Sequence, residues 1–248
     1  MAFIPIYDTN RLRYIRWPLV SWGLILANVL VFFFFESGTL DGADEASTVG
    51  FGLIPAAINH IAVRPPEFYE VPDWLTLVTY AFVHADFWHL AGNMIFLWVF
   101  ADNVEDSLGH VRFILFYLLC AVGAGYAYVW SAPASEAPVI GASGAIAGIV
   151  AAYLILHPYA KVWVLALGRI PLRISALWVL GFWILFQIFG VLAAGEDGTA
   201  WWSHIGGVVT GAVLVLVLRR RGVQLFDRTP PVPVVIPAGK VDDGEPPR

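Results

Sequence analysis

Long apolar segments constrain the fold of this chain more than any other feature. A helix needs about 20 apolar residues to cross the hydrocarbon of a bilayer. Hydrophobic residues make up 59% of the 248 positions and charged residues only 13%, which is about half the charged share of ordinary soluble domains. The predicted helices 1 to 6 cover residues 17–35, 87–101, 113–130, 143–157, 174–193 and 202–218. We therefore expect an all-α membrane protein with a bundle of six transmembrane helices.

Lysine and arginine are distributed unevenly over the connecting segments. They precede helix 1, lie between helices 2 and 3 and between helices 4 and 5, and follow helix 6, whereas the opposite side holds only Arg64. Cytoplasmic segments carry an excess of these residues. Six spans place all the clusters on one side, so we expect both termini in the cytoplasm. Because no targeting extension is recognisable, we expect the bacterial inner membrane.

The remaining segments define the predicted domain organisation. Residues 1–16 form a cytoplasmic N-terminal segment, and residues 17–221 form the membrane domain. The connector 36–83 is rich in proline and aromatic residues, so we expect an ordered loop in the outer interface between helices 1 and 2. The proline-rich tail 222–248 has no apolar period and is predicted to be disordered. The net charge of −5 does not suggest a nucleic-acid partner, and the single cysteine excludes a disulfide within the chain.

Polar residues inside membrane helices are rare, and each is a candidate for function. Three groups occur here: His84, His89 and Asn93; Ser143 within Gly141-Ala142-Ser143-Gly144; and His204, followed by Gly207 and Gly211. Ser143 and His204 lie 14 and 15 residues before the cytoplasmic ends of helices 4 and 6, which corresponds to ~21–23 Å at about 1.5 Å per residue. His89 lies ~20 Å above the same boundary by the same rise. The three groups are therefore expected at one level.

A serine and a histidine at one depth indicate nucleophilic catalysis. A serine hydroxyl becomes a good nucleophile when a base accepts its proton, and His204 can be that base. The resulting oxyanion needs hydrogen-bond donors already directed at it, which Asn93, His89 and the backbone N–H of Ser143 can supply. No carboxylate occupies this depth, so we predict a Ser143–His204 dyad.

Small residues repeat every four positions on helices 4 and 6. They are Gly144, Gly148 and Ala152 on helix 4, and Ser203, Gly207 and Gly211 on helix 6. Such repeats let membrane helices pack closely. We expect this packing to bring His204 within reach of Ser143.

Together these motifs resemble the rhomboid intramembrane serine proteases. The matching pieces are the Gly-Ala-Ser-Gly tetrapeptide, the array His84-x4-His89-x3-Asn93, and His204 with its following glycines, and their order matches over about residues 17–218. The resemblance implies that Ser143 is the nucleophile, that His204 is the base, and that His89 and Asn93 contribute to the oxyanion hole. It implies supporting roles for His84, Gly141, Gly144, Gly207 and Gly211.

The resemblance also implies a substrate class and an entrance. The family cleaves transmembrane segments of other membrane proteins without a metal or cofactor, and helix 5 with the loop 194–200 would form the substrate entrance. One departure is visible, because some members carry a tyrosine under the histidine where this chain has Ala147. Which residue orients His204 is therefore left open. The sequence does not indicate an oligomeric state.

Other interpretations of the same residues remain. His84 and His89 could bind a metal, and Asn93 could serve only to hold helices together. A catalytically silent rhomboid-fold protein that binds transmembrane clients is the main alternative function. A small transporter or channel is the third, since buried histidine and asparagine residues could line a pathway.

Overall fold

The computed structural model of the chain describes residues 3–37, 42–193 and 200–228, and most of these are helical. The helices are α1 (Leu19–Val31), α2 (Ala43–Phe51), α3 (Pro55–Ile58), α4 (Thr76–Thr79), α5 (Phe87–Phe96), α6 (Asp102–Leu108), α7 (His110–Ser131), α8 (Ser143–Leu156), α9 (Ala176–Ala193) and α10 (Trp201–Leu218). Two π-helical segments, Phe32–Glu36 and Leu97–Ala101, extend α1 and join α5 to α6. Three strands are present in this part of the chain: β1 (Phe3–Asp8), β2 (Lys161–Ala166) and β3 (Ile170–Ser175).

Among the described residues, four helices are long and apolar enough to cross a membrane. They are Leu19–Glu36, His110–Ser131, Ala176–Ala193 and Trp201–Leu218. The chain is thus a membrane protein with several apolar helices. α8 has 14 residues and spans only ~21 Å, while the run from α5 to α6 carries polar side chains. Length and composition therefore identify four spans, and the count of six remains a prediction.

A small antiparallel sheet shows that the all-α prediction was wrong in one respect. β2 is the central strand and pairs with β1 on one side and with β3 on the other. Val162 and Val164 of β2 are buried, so the strand has the alternating apolar pattern of a half-buried β-strand. This pattern lies in the short connector between α8 and α9. The lysine and arginine residues of that connector had indicated a loop. β3 leads directly into α9.

The segment before α1 is attached to α6. The carboxylate of Asp106 accepts hydrogen bonds from the backbone N–H groups of residues 13–15 at 2.7–2.8 Å. Glu105, which is fully buried, accepts from the N–H groups of Val20 and Ser21 and from the Ser21 hydroxyl. These bonds fix the N-terminal segment and the start of α1 against α6.

α8 lies at the centre of the helices. Eleven of its 14 residues are buried, and α7 and α10 pack against it. A Cβ atom on Gly207 would lie 1.9 Å from the carbonyl oxygen of Gly144, and one on Gly211 would lie 2.3 Å from that of Gly148. Only glycine permits approaches this short, so α8 and α10 are in direct backbone contact.

The connector between α1 and α5 is ordered over its described residues, 42–83. Arg64 is buried within it and donates hydrogen bonds to the Asp73 carboxylate and to the backbone carbonyls of Gly50 and Val71. Residues 38–41 lie outside the described part. The position of this connector in the outer interface remains a prediction.

The predicted tail falls mostly outside the described residues. Its first residues, 222–228, are described, and the N–H groups of Phe226 and Asp227 donate to the carbonyls of Ile155 and Leu156 at the end of α8. Most of the tail 222–248 that was predicted to be disordered, and most of the predicted entrance loop 194–200, therefore lie outside the described part.

Candidate active site

Ser143 and His204 are in hydrogen-bond contact. Ser143 is the first residue of α8, and His204 lies in the first turn of α10. The Ser143 Oγ atom and the His204 Nε2 atom are 2.8 Å apart. The backbone contact between α8 and α10 begins beside this pair, because Gly144 directly follows Ser143 and Gly207 lies three residues after His204. The distance is that of a nucleophile and its general base.

Gln187 on α9 lies on the other side of the His204 ring. Its Oε1 atom is 2.8 Å from His204 Nδ1, and its Nε2 atom donates a hydrogen bond of 3.0 Å to the backbone carbonyl of Trp183. Gln187 was not among the site residues predicted from the sequence. Its polarity and its position in the sequence could have identified it. Gln187 is the only strongly polar side chain in α9 and lies 11 residues after the start of that helix, which corresponds to ~17 Å.

Two tryptophan rings pack around the imidazole of His204. The ring centroid of Trp183 is 6.0 Å from that of His204, and the ring centroid of Trp201 is 6.3 Å away in an edge-on arrangement. Ala147 is fully buried in α8 and presents only a methyl group. The aromatic packing that some rhomboid proteases obtain from a tyrosine at this position therefore comes here from α9 and the start of α10.

Asn93 and Ser143 line the same cavity. The Nδ2 atom of Asn93 is buried and has no hydrogen-bond partner among the described residues. A buried donor without a partner is unusual and needs an explanation. A ligand oxygen in the cavity beside Ser143 would supply the missing acceptor.

His89 lies beside the turn that precedes α8. The Asp86 carboxylate caps α5 by accepting from the N–H groups of Trp88 and His89, which fixes the turn that carries the imidazole. His89 Nδ1 accepts from the N–H of Ala85 at 3.4 Å, so the proton belongs on Nε2. A Cβ atom on Gly141 would lie 2.7 Å from that Nε2 atom.

Glycine is required at position 141 by two independent features. Its φ angle is +116°, a region that side chains disfavour, and its missing Cβ leaves the space that the His89 ring occupies. The turn from Gly141 to Ala142 can therefore pass close to His89 on α5, and it leads directly into the first N–H groups of α8. Those N–H groups have no partner within the helix.

His84 supports the same turn. It is almost fully buried, and its Nε2 atom accepts from the N–H of Ala142 at 3.5 Å. Its own N–H donates to the Glu36 carboxylate at 2.7 Å, and its ring packs edge-on against that of His89 at 5.1 Å. Within the described residues, no group of three or more histidine, cysteine or acidic side chains is arranged to hold a metal ion.

An apolar cavity of about 450 Å³ opens onto the Ser143–His204 pair. α5 contributes one wall and α9 the opposite one. The lining residues are Phe3, Gly92, Asn93, Phe96, Ser143, Ile146, Phe182, Trp183, Phe186, Gln187, Trp201 and His204. The volume is large enough for several side chains of a bound segment.

A sequence model of the Rhomboid domain matches residues 71–221, which is more than half of the chain. The chain belongs to the rhomboid family. The matched region runs from the end of the connector through α10 and includes His84, His89, Asn93, Ser143, Gln187 and His204. The resemblance noted from the three motifs is therefore confirmed at the level of the family.

Curated rhomboid proteins give partial matches. The chain is 28% identical to Rhomboid protein 1, mitochondrial, of Saccharomyces cerevisiae over 152 residues, which are 58% of this chain and 41% of that protein. It is 28% identical to Rhomboid-like protein 11, chloroplastic, of Arabidopsis thaliana over 165 residues, 62% of this chain and 55% of that protein. The presenilin-associated rhomboid-like protein, mitochondrial, of Mus musculus is 37% identical over 73 residues, 29% and 19% of the two chains.

These relatives bear on location. The chain spans about half the length, or less, of the curated relatives that it matches. Their names place them in mitochondria or chloroplasts, so they do not support the expected bacterial inner membrane. The protein is therefore assigned to a membrane, and the compartment is not identified.

Proposed function

We propose that this rhomboid-family protein is an intramembrane serine endopeptidase that cleaves transmembrane segments of other membrane proteins. The observation that carries the proposal is the 2.8 Å contact between Ser143 Oγ and His204 Nε2. A lone serine in a membrane helix commonly bonds to its own backbone, whereas this hydroxyl meets an imidazole from another helix. The partnerless amide of Asn93 beside the pair supports the same conclusion.

The reaction would proceed by acyl transfer. Ser143 Oγ bonds to the scissile carbonyl carbon while its proton moves to His204 Nε2. When the tetrahedral intermediate collapses, the C–N bond breaks and the proton passes from His204 to the leaving amine. Water then attacks the acyl group on Ser143, with His204 again as base, and the new carboxyl terminus is released.

The oxyanion of each tetrahedral intermediate would be bound by three donors. These are the amide of Asn93, the Nε2–H of His89 and the backbone N–H of Ser143. Their positions are fixed before the substrate arrives, by the Asp86 cap of α5 and by the turn at Gly141. Preorganised donors of this kind stabilise the transition state without reorganisation during the reaction.

The membrane arrangement belongs to the same proposal. Six helical spans would place both termini on one side, with the connector 36–83 in the opposite interface. α8 would begin below the surface of the bilayer, which explains why it is only 14 residues long. A substrate segment would enter the cavity between α5 and α9, where the walls are apolar.

The test is cleavage of a model transmembrane substrate after reconstitution into lipid vesicles. Ser143→Ala and His204→Ala should abolish cleavage. Ser203→Ala is the matched control, because Ser203 is a buried serine adjacent to the base and its side chain is hydrogen-bonded to Tyr80. An activity-based serine probe should label Ser143 in the wild type and fail to label the His204→Ala variant.

The same experiment addresses the main alternative. Equal cleavage by the wild type and Ser143→Ala would contradict the protease proposal. A transmembrane client that co-purifies and stays intact for hours would support a catalytically silent binding protein instead.

A further inference from the structure

The side chain of Gln187 joins α9 to the base of the proposed dyad. Gln187 is 3% exposed, in a helix whose other large side chains mostly face outward. Both ends of its amide are engaged: Nε2 donates to the carbonyl of Trp183 at 3.0 Å, and Oε1 faces His204 Nδ1 at 2.8 Å. A polar side chain held in this way within an apolar helix needs a physical reason.

The contacts determine which end of the amide faces the imidazole. The backbone carbonyl of Trp183 can only accept a hydrogen bond, so the atom beside it must be the amide nitrogen of Gln187. The opposite orientation would place two oxygen atoms against each other. The oxygen of Gln187 therefore faces His204 and acts as an acceptor.

This orientation in turn determines the tautomer of His204. An acceptor at Nδ1 requires that Nδ1 carry the proton, and in a neutral imidazole the other nitrogen is then bare. The bare Nε2 is the atom 2.8 Å from Ser143 Oγ. The Nδ1–H tautomer is the only neutral form in which His204 can accept the serine proton.

We infer that Gln187 is a positioning residue that holds His204 in the Nδ1–H tautomer and orients its ring toward Ser143. The inference rests on the proposed protease function and deepens it. Gln187 occupies the place at which serine proteases with a triad carry a carboxylate. A neutral amide reproduces the orienting hydrogen bond but adds no negative charge to stabilise the protonated imidazole.

The tautomer can be measured without any activity. Protein labelled with ¹⁵N-histidine and held in detergent micelles should give ¹⁵N shifts for His204 that correspond to the Nδ1–H form at neutral pH. The His204→Ala variant identifies these signals by difference. In Gln187→Leu, which has a similar volume but no acceptor, we expect the signals to move toward the Nε2–H form. A wild-type signal of the Nε2–H form would overturn the inference.

Kinetics supply the second measurement. Gln187→Leu should lower kcat on the order of 10- to 100-fold, because the base loses its orienting hydrogen bond, with little change in KM. Gln187→Glu keeps an acceptor and should recover most of this loss. Its carboxylate should stabilise the protonated imidazole, so the acid limb of the kcat profile should move to higher pH. Ile184→Leu, a partly buried position of the same helix, is the control and should match the wild type.

The outcomes separate this inference from the protease proposal. If the wild type cleaves and Gln187→Leu has the same kcat and the same histidine spectrum, the positioning role is wrong although the function stands. If the wild type does not cleave and the serine probe does not label Ser143, the protease proposal fails, and the spectrum still reports whether Gln187 sets the tautomer.

Discussion

The two contacts that α10 makes around His204 differ in kind. Against α8, it packs backbone to backbone, with Gly207 over Gly144 and Gly211 over Gly148. Against α9, the contact is made by side chains, including the hydrogen bond from His204 to Gln187. The first contact sets the distance between the helices that carry the nucleophile and the base, and the second sets the direction of the imidazole ring.

The difference predicts different responses to substitution. Two helix backbones in contact cannot accommodate an added atom without moving apart, because neither has a rotamer to change. Side chains of α9 can rearrange, and that helix exposes large residues such as Phe182, Leu185 and Phe189. Substitutions at the α8–α10 contact should therefore affect stability and activity together, whereas those on α9 should affect mainly turnover.

The largest effect is expected for Gly207→Ala. The new Cβ would lie 1.9 Å from the Gly144 carbonyl oxygen, and overpacking of this kind typically costs about 1–3 kcal/mol. We expect a lower Tm in detergent and almost complete loss of cleavage, since the helices separate at the dyad. Gly181→Ala on α9 is the matched control, because nothing lies within 4 Å of its Cβ. Wild-type Tm and activity in Gly207→Ala would refute the backbone-contact argument.

The nucleophile and base were predictable because the helical rise converts residue counts into depth. Ser143 and His204 fall at one level by that conversion, and small residues at four-residue intervals indicated which helices pack together. The structure brings the two side chains together, although their catalytic roles remain proposals. The same conversion places Gln187 ~17 Å above the start of α9, within about one helical turn of that level, so its proximity to the dyad was also predictable.

The sheet was not predictable by the same means. β2 and β3 are six residues each, and β2 is also paired with β1, which lies more than 150 residues earlier in the chain. The residues of β2 themselves do not indicate that a strand so distant in the sequence pairs with them. The tryptophan packing around His204 was equally hidden, since the chain contains 11 tryptophans and their spacing does not indicate which of them meets the imidazole.

The next largest effect is expected for Asn93→Ala, which removes a donor that α5 contributes to the cavity beside Ser143. Loss of one oxyanion donor typically lowers kcat by about 10²- to 10³-fold. KM should change little, because the oxyanion exists only in the transition state. Tm should stay close to that of the wild type, because the Nδ2 atom has no partner to lose among the described residues. A rise in KM with unchanged kcat would assign Asn93 to substrate binding instead.

A smaller effect is expected for Trp183→Leu, which tests the side-chain contact of α9 without disturbing its hydrogen bond. The Trp183 carbonyl still accepts from Gln187 Nε2 in the variant, whereas the ring packing on His204 and on Phe96 is lost. Aromatic contacts are worth about 0.5–1.5 kcal/mol, so kcat should fall by about 2- to 12-fold. Phe189→Leu, an exposed position on the same helix, should leave kcat unchanged. A loss as large as that in Gln187→Leu would show that ring packing dominates orientation.

The smallest effect on activity is expected for Asp8→Asn, a substitution in the sheet that leads into the start of α9. Burial raises the pKa of Asp8 in β1 to about 7 from an ordinary value of 3.8, with the charge of Asp102 adding to the rise and hydrogen bonds from Tyr153 and Asn103 opposing it. The folded protein therefore holds a proton here that the unfolded chain releases near pH 4. The stabilisation is complete below that pH and is lost as the pH rises through about 7.

Asp8→Asn should remove this dependence. The Tm of the wild type should fall relative to that of the variant between about pH 4 and 7, with a limiting slope of about 1.4 kcal/mol per pH unit in the free energy of unfolding. At constant pH, kcat should be the same in the two proteins, because Gln187 lies ~17 Å above the start of α9 and holds His204 independently of the sheet. A loss of turnover in Asp8→Asn would mean that the orientation of His204 depends on the sheet as well as on Gln187. Parallel Tm curves would mean that Asp8 does not titrate in this range.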